Sequence, residues 1–300
     1  LVLGRADAAL AGTATLLIRL FTLWFGVLLG LIVAFVSRRR LFPAGASHLV
    51  WDEPPPEPAG EPGIRASEAG GPDWETPKPP PHPTSTIYSK DSLIRLEDLP
   101  AICRRARLDR VVVTDHNTAR GALLAAEMFP DLVIPGEEIM TTDGEVLAWY
   151  IQEEVPPGLP PGETIARLRD QGAVVGVAHP FDRYRGGAWD RGALDGIVGL
   201  VDAVEVFNAR CIHMQDNEQA LAFAQEHAVM RTAGSDAHLP REYGRAVMLT
   251  RPFEQSPAGF RAALDAASRD ASLSSFAVHF GSSYAKWLKK LFPSLRRLDG

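Results

Sequence analysis

Between 93 and 267 short apolar runs alternate with stretches of helical period, and this alternation limits the chain to few folds. Leu93 to Leu108 has the period of a helix and leads into Val111–Val113; Thr118 to Met128 leads in the same way into Leu132–Ile134. The apolar run Val146 to Ile151 follows, then a helix over Glu163 to Gln171 and the run Ala173 to Ala178. Val204–Phe207, a helix over Asp216 to His227, the run Ala228 to Ala233, the run Ala246 to Leu249 and a helix over Pro257 to Ala267 complete the series. Strands alternating with helices of this length predict βα units around a mostly parallel sheet. With about seven strands, a closed or nearly closed barrel is expected ahead of an open doubly wound sheet. No glycine-rich fingerprint follows the first strands, which argues against a dinucleotide site.

Imidazoles and carboxylates sit where these runs end. Asp115 and His116 follow the first, Glu137 and Glu138 the second, and His179 the run ending at Ala178; Glu205 and Asn208 belong to the Val204 run, and Asp236 and His238 follow Ala233. In a barrel all these ends meet on one face. A mixed oxygen and nitrogen donor set there suits a hard or borderline divalent ion, Zn, Mn or Fe, able to activate water and neutralise a phosphate. Singly, each residue also has a plainer role. Asp115 and Asn117 suit a helix cap, Asp236 a turn, Glu137 and Glu138 a solvated loop, and Asp143-Gly144 a hairpin turn. Four strand ends with the same chemistry outweigh those separate explanations. Arg183, Arg185 and Arg210, which follow the His179 and Asn208 strand ends, read as solvated loop residues and stay outside the catalytic set.

Thr114-Asp115-His116-Asn117-Thr118, Pro135-Gly136-Glu137-Glu138, Ala178-His179-Pro180-Phe181, Glu205-Val206-Phe207-Asn208 and Gly234-Ser235-Asp236-Ala237-His238 resemble, in order and spacing, the motifs of the PHP family, the polymerase and histidinol phosphatase domain. Ser89-Lys90-Asp91-Ser92 resembles the end of its first motif, and the likeness runs from about Pro81 to Ala267. The resemblance implies a distorted seven-stranded β/α barrel with a usually trinuclear metal centre that hydrolyses a small phosphomonoester or phosphodiester; with the altered first motif, one to three Mn or Zn ions per chain are expected, Fe being the other candidate. It implies that Asp91, His116 and His238 hold one metal, and that Glu138 bridges two others, with Asp236 on one and His179 on the other. Asp236, His238 and Glu138 are the expected catalytic residues. The chain departs from the pattern in its first motif, where two histidines one residue apart are expected. Pro83 and Ser85 occupy those places, and a shift of one residue recovers only His82. Glu145 stands where the family tends to have a histidine after the glycine, so Glu145 and His82 are further candidate ligands. The alternative function is a degenerate domain that binds metal or a phosphorylated ligand without turnover, as a membrane-tethered sensor or scaffold.

Outside this body the composition changes. Leu10 to Val36 is almost wholly apolar and ends at Ser37-Arg38-Arg39-Arg40. This predicts a membrane anchor over 1–42 with a transmembrane helix at about 12–36, a single-pass location, and the barrel in the cytoplasm beside the basic cluster. Residues 43–80 are rich in Pro and Gly and read as an extended linker. The barrel is expected over 81–270 and a cationic amphipathic tail over 271–300. There Trp287, Leu288 and Leu291 alternate with Lys286, Lys289 and Lys290, suiting either an interfacial helix or one docked on the barrel. A net charge of −6 without a basic stripe gives duplex nucleic acid no electrostatic hold, so no nucleic-acid partner is expected. Two cysteines, Cys103 and Cys211, are too few and too far apart for a disulfide framework.

Overall fold

Strand order in the main sheet follows chain order. The computed structural model of the protein describes residues 83–84, 86–275 and 278–291. Seven strands, β1 (Pro83–Thr84), β2 (Val111–His116), β3 (Val133–Met140), β4 (Glu145–Trp149), β5 (Val174–Val177), β6 (Ala203–Asn208) and β7 (Met230–Gly234), pair in the order β1 to β7. Between and after them run α1 (Leu99–Ala106), α2 (Arg120–Met128), α3 (Pro161–Asp170), α4 (Arg191–Ile197), α5 (Met214–Glu226), α6 (Pro257–Asp265) and α7 (Val278–Leu291). A separate antiparallel pair joins β8 (Ala246–Leu249) to β9 (Ser268–Ala271).

The expected closed barrel is corrected on this pairing. The sheet is curled but open between β1 and β7, which no described ladder joins. Its first edge strand is only two residues long, and the apolar run Ala246 to Leu249, counted as a strand of the barrel, pairs with β9 instead of closing it. The sheet is also less uniformly parallel than the alternation predicts, because β4 runs antiparallel to both neighbours. The β3–β4 hairpin turns at Thr141–Gly144, where the Thr141 N–H donates to the Gly144 carbonyl at 2.9 Å.

The membrane span expected at about 12–36 lies outside the described residues. Among the described residues no helix is long and apolar enough to cross a membrane. The 14-residue α7 would reach about 21 Å, against a hydrocarbon core of about 30 Å. The single-pass location and the membrane partner are withdrawn on that finding.

Both faces of the central strands are covered. In β4, Val146 and Ala148 pack with Ile165, Leu168, Val175 and Phe223, while Leu147 and Trp149 point the other way and pack with Val174, Phe207 and Phe260. Period-two alternation with apolar residues at every position is what a strand between two layers requires. Gly176 on the neighbouring strand makes room for Trp149, since a Cβ there would lie 2.4 Å from the indole. Truncating so large a buried ring costs about 3–5 kcal/mol.

Candidate metal centre

The parallel strands β2, β5, β6 and β7 deliver their C-terminal ends to one side of the sheet. Because β4 is antiparallel, it delivers its first residue there, and register places Met140 of β3 opposite Glu145. His116 pairs in register with Glu138 across β2 and β3. Adjacent residues of a strand point to opposite faces, and this sorts each sequence pair. Glu138 turns into the site while Glu137 turns away to accept the Val155 N–H at 3.1 Å. His116 turns in, whereas Asp115 accepts from the Thr86 hydroxyl at 2.6 Å and tethers the loop that carries Asp91.

Two groups of side chains are placed to hold a metal ion, with ligand atoms in each within 4.8 Å of one another: Asp91, His116 and His238, and His116, Glu138 and Glu145. His116 belongs to both. Its Nε2 lies 3.6 Å from Asp91 Oδ2, and its Nδ1 lies 3.4 Å from Glu138 Oε2 and 3.6 Å from Glu145 Oε1. His179 adjoins the second group, with Nε2 at 3.0 Å from Glu138 Oε1 and 3.3 Å from Glu145 Oε2. The donor sets are all oxygen and nitrogen, as Zn or Mn would take them. His238 is fitted for this role by its hydrogen bonding. Its Nδ1 lies 2.8 Å from the Asp236 carbonyl, which only accepts, so Nδ1 carries a proton and Nε2, 3.2 Å from Asp91 Oδ1, is the atom that would reach a metal.

Asp236, an expected ligand, falls in neither group. Its carboxylate is bound by the Arg185 guanidinium and by Asn208 Nδ2 at 3.3 Å, and its Oδ1 lies 3.4 Å from His238 Nδ1. His82, the other candidate, lies outside the described residues. Asp236 and His179 both sit at positive φ, 48° and 21°, a region costly for residues with a Cβ and often found where a site holds a side chain in place.

Charge is dense and mostly shielded from water. Burial would lower the His116 imidazole, but Glu138, Glu145 and Asp91 hold its pKa up at about 10. His179 likewise stands at about 9, with burial and Arg185 opposing Glu138 and Glu145. Burial would raise the Asp91 and Asp236 carboxyls, yet both stay far below the ordinary carboxylate range, Asp91 through His238 and His116, Asp236 through Arg185 and His238. Glu145 is drawn down to about 2 against its burial by His116 and His179. A Cβ on Gly187 would lie 2.1 Å from Glu145 Oε2, so any larger residue there would push the carboxylate from its place.

Several residues that sequence reasoning passed over support the site. Arg185, read as a solvated loop residue, bonds Asp236, Asp182 (3.0 Å) and Asn208 (3.4 Å). Arg210 is buried, donating to Glu242 Oε1 at 3.1 Å and to Ser282 Oγ at 2.7 Å. Glu242 Oε2 accepts the N–H groups of His238 (2.9 Å) and Leu239 (2.7 Å) and so fixes the loop of a ligand. Arg183 alone stays at the surface, on Asp216. Glu205 points inward and accepts the His179 N–H at 2.9 Å; burial raises it to about 7. Glu205 stands in a strand-end motif of the sequence, whereas Arg185, Arg210 and Glu242 carry no local signal for these roles, because each acts across a loop contact. The tail helix is docked: Val278, Ser282, Ala285 and Lys289 are buried, while Tyr284, Trp287 and Leu291 are exposed.

The site opens into a cleft of about 390 Å³ lined by Asp91, His116, His238 and Glu145 of the two ligand groups and by Lys90, Arg185 and Lys286. Imidazoles and carboxylates clustered in an open, cation-edged cleft are the equipment of a metal-dependent hydrolase.

Comparison with known proteins agrees with this reading of the fold. Residues 215–268 match a family described as PHP-associated. The chain is 35% identical over 176 residues to the uncharacterized protein MJ0417 of Methanocaldococcus jannaschii, covering 56% of this chain and 66% of that protein. It is 34% identical over 123 residues to the uncharacterized protein MJ1587 of the same organism, covering 40% and 69%. The chain thus spans about two thirds of the length of these relatives. Among solved structures it is similar to PsfC from Pseudomonas syringae PB-5123, with a TM-score of 0.55 and 18% identity over 70% of this chain and 98% of that one, a likeness of fold.

Proposed function

We propose that this chain, which belongs to the family of MJ1587 and carries a PHP-associated segment, hydrolyses a small phosphomonoester or phosphodiester with the help of divalent metal ions, Mn or Zn. The observation that carries the reading is the pair of ligand groups sharing His116 at the floor of a cleft edged with cations. Asp91, His116 and His238 would hold one ion, and Glu138 and Glu145, beside His179, a second, with His116 serving both at once only after losing both ring protons. When bound, such ions supply Lewis-acid polarisation of a phosphoryl oxygen and a lowered pKa for an attacking water.

The chain's own groups favour water as the attacking species. Ser89 Oγ donates to Asp91 Oδ1 at 2.6 Å, Ser235 Oγ donates to the Ala246 carbonyl at 3.1 Å, and Ser283 Oγ donates to the His279 carbonyl at 2.9 Å. The Ser235 and Ser283 protons go to backbone carbonyls, and the Ser89 proton goes to a carboxylate held far below the ordinary range, too weak a base to activate it. Both thiols are buried, with Cys103 pushed up to about 12 and Cys211 higher, so neither offers a thiolate. Lys286, half-exposed at the cleft, is placed to meet the anionic oxygens of the substrate, with Arg185, itself paired with Asp236 and Asp182, lining the same cleft; Asp236 positions Arg185 and His238.

One observation favours a second reading, a domain that binds metal or a phosphorylated ligand without turnover: the Arg185 guanidinium occupies the carboxylate of Asp236, an expected ligand. Phosphate release from a panel of phosphoesters under Mn or Zn saturation separates the two. Asp236→Asn should lower turnover at least about tenfold, roughly 1.4 kcal/mol in the barrier. If no member of the panel gives Asp236-dependent release, the binding reading replaces the enzyme.

A further inference from the structure

Helix α7 is not part of the sheet, yet it forms one wall of the cleft. It is tied to both loops that carry the first ligand group. Lys289, one turn from Lys286 and buried, donates through Nζ to the carbonyls of Ile87 and Ser89 in the Asp91 loop. Ser282 Oγ accepts from Arg210, whose other nitrogen bonds Glu242, which in turn holds the His238 N–H. On this anchored helix Lys286 lines the cleft, and its Nζ stands 3.4 Å from Asp91 Oδ2.

Stability does not explain that placement. The Lys286 side chain is 52% exposed, Asp91 already faces His116 and His238, and a half-exposed lysine adds little to a carboxylate so served. The anchoring is done by Lys289 and Ser282. What Lys286 gains at this point is nearness to the ligands of an ion: a group bound by Asp91, His116 and His238 shares a carboxylate with this ammonium.

We propose that Lys286 is a substrate-binding residue, supplied by the C-terminal helix, that grips a non-bridging oxygen of a terminal phosphate and so favours phosphomonoesters. The proposal rests on the phosphoesterase reading and narrows its substrate class. A terminal phosphate carries close to two negative charges at neutral pH, and the cleft answers it with Lys286 and Arg185 on its walls above the two ligand groups. A diester carries one charge, so it gains less from the two cations.

The test is titration of the Mn-loaded full chain with inorganic phosphate by calorimetry, for the wild type, Lys286→Met, Lys286→Arg and Lys290→Met. Lys290 is exposed on the same helix and does not line the cleft. Lys286→Met should weaken phosphate binding about tenfold, the worth of one charge-assisted hydrogen bond. Lys286→Arg should keep most of the affinity, Lys290→Met all of it, and Mn content should be unchanged throughout. Affinity within twofold of wild type in Lys286→Met, an equal loss in Lys290→Met, or no phosphate binding by the wild type would each overturn the assignment. Because the readout needs no turnover, it is separate from the phosphoesterase reading, which fails on absent phosphate release.

Discussion

Replacing His116 with alanine removes the one side chain shared by both ligand groups, so both should weaken together. The size of the effect follows from linkage. At a metal concentration about 100 times the dissociation constant, a single site stabilises the fold by about 2.7 kcal/mol. For a body of this size, about 2–4 °C per kcal/mol, that is a rise in melting temperature of about 5–10 °C. Losing a ligand that faces Asp91 on one side and Glu138 and Glu145 on the other should cost about 100-fold in affinity, taking the upper end of what outer-shell losses cost. At the same Mn concentration the stabilisation falls to about 0.4 kcal/mol, a rise of about 1 °C. The assay is thermal melting with and without Mn, each protein compared with itself so that the metal-independent cost of the substitution cancels. Glu137→Gln is the control, since Glu137 neighbours a ligand in sequence but faces Val155. If His116→Ala keeps more than half of the wild-type rise, or Glu137→Gln loses it, the assignment of the two groups is refuted.

Two further outcomes follow from the buried charges. Glu242→Ala strands the buried Arg210 and releases the His238 loop, so urea unfolding should report a loss of about 3–5 kcal/mol; a loss under about 1 kcal/mol would mean the pair holds nothing. In chelator-treated protein, His116 at about 10 and His179 at about 9 stand above the ordinary 6.5, so the fold holds their protons longer than the unfolded chain does. Their contribution is complete below about pH 6.5 and is lost as pH rises through 9 and 10; Glu137, which burial raises to about 8, acts in the same direction, whereas Glu145 at about 2 is constant over that window. The urea midpoint should therefore fall between pH 6.5 and 10, and a flat or rising midpoint would contradict the charge assignment.

The strand-end residues were legible in sequence because each follows a contiguous apolar run: His116, His179 and His238 needed only the rule that such ends meet. Glu145 could be proposed but not placed, since its arrival depends on β4 running antiparallel, and pairing direction is a contact between distant segments. Pro135-Gly136 read as the end of a strand, yet β3 continues through it to Met140. Pro135 still takes part in the pairing through its carbonyl, which accepts from the Tyr150 N–H at 2.7 Å. Helix α4 shows no period in the sequence because it is only seven residues long; the Asp190 cap, which accepts from the Gly192 N–H at 2.9 Å, starts it. The run at Ala246 reads as a strand of the main sheet because its true partner, β9 (Ser268–Ala271), is polar and carries no apolar run. Arg185, Glu242 and Lys286 gave no local signal; each acquires its role from a partner 51, 32 or 195 residues away, Asp236, Arg210 and Asp91 respectively.

The most direct test of the central claim is phosphate release from phosphomonoesters by the full chain, measured against added Mn equivalents after chelator treatment. The two ligand groups predict turnover that is absent without metal, rises to a plateau at about two equivalents per chain and disappears again with chelator. Turnover that is independent of metal, or no turnover at any ratio, would contradict the account.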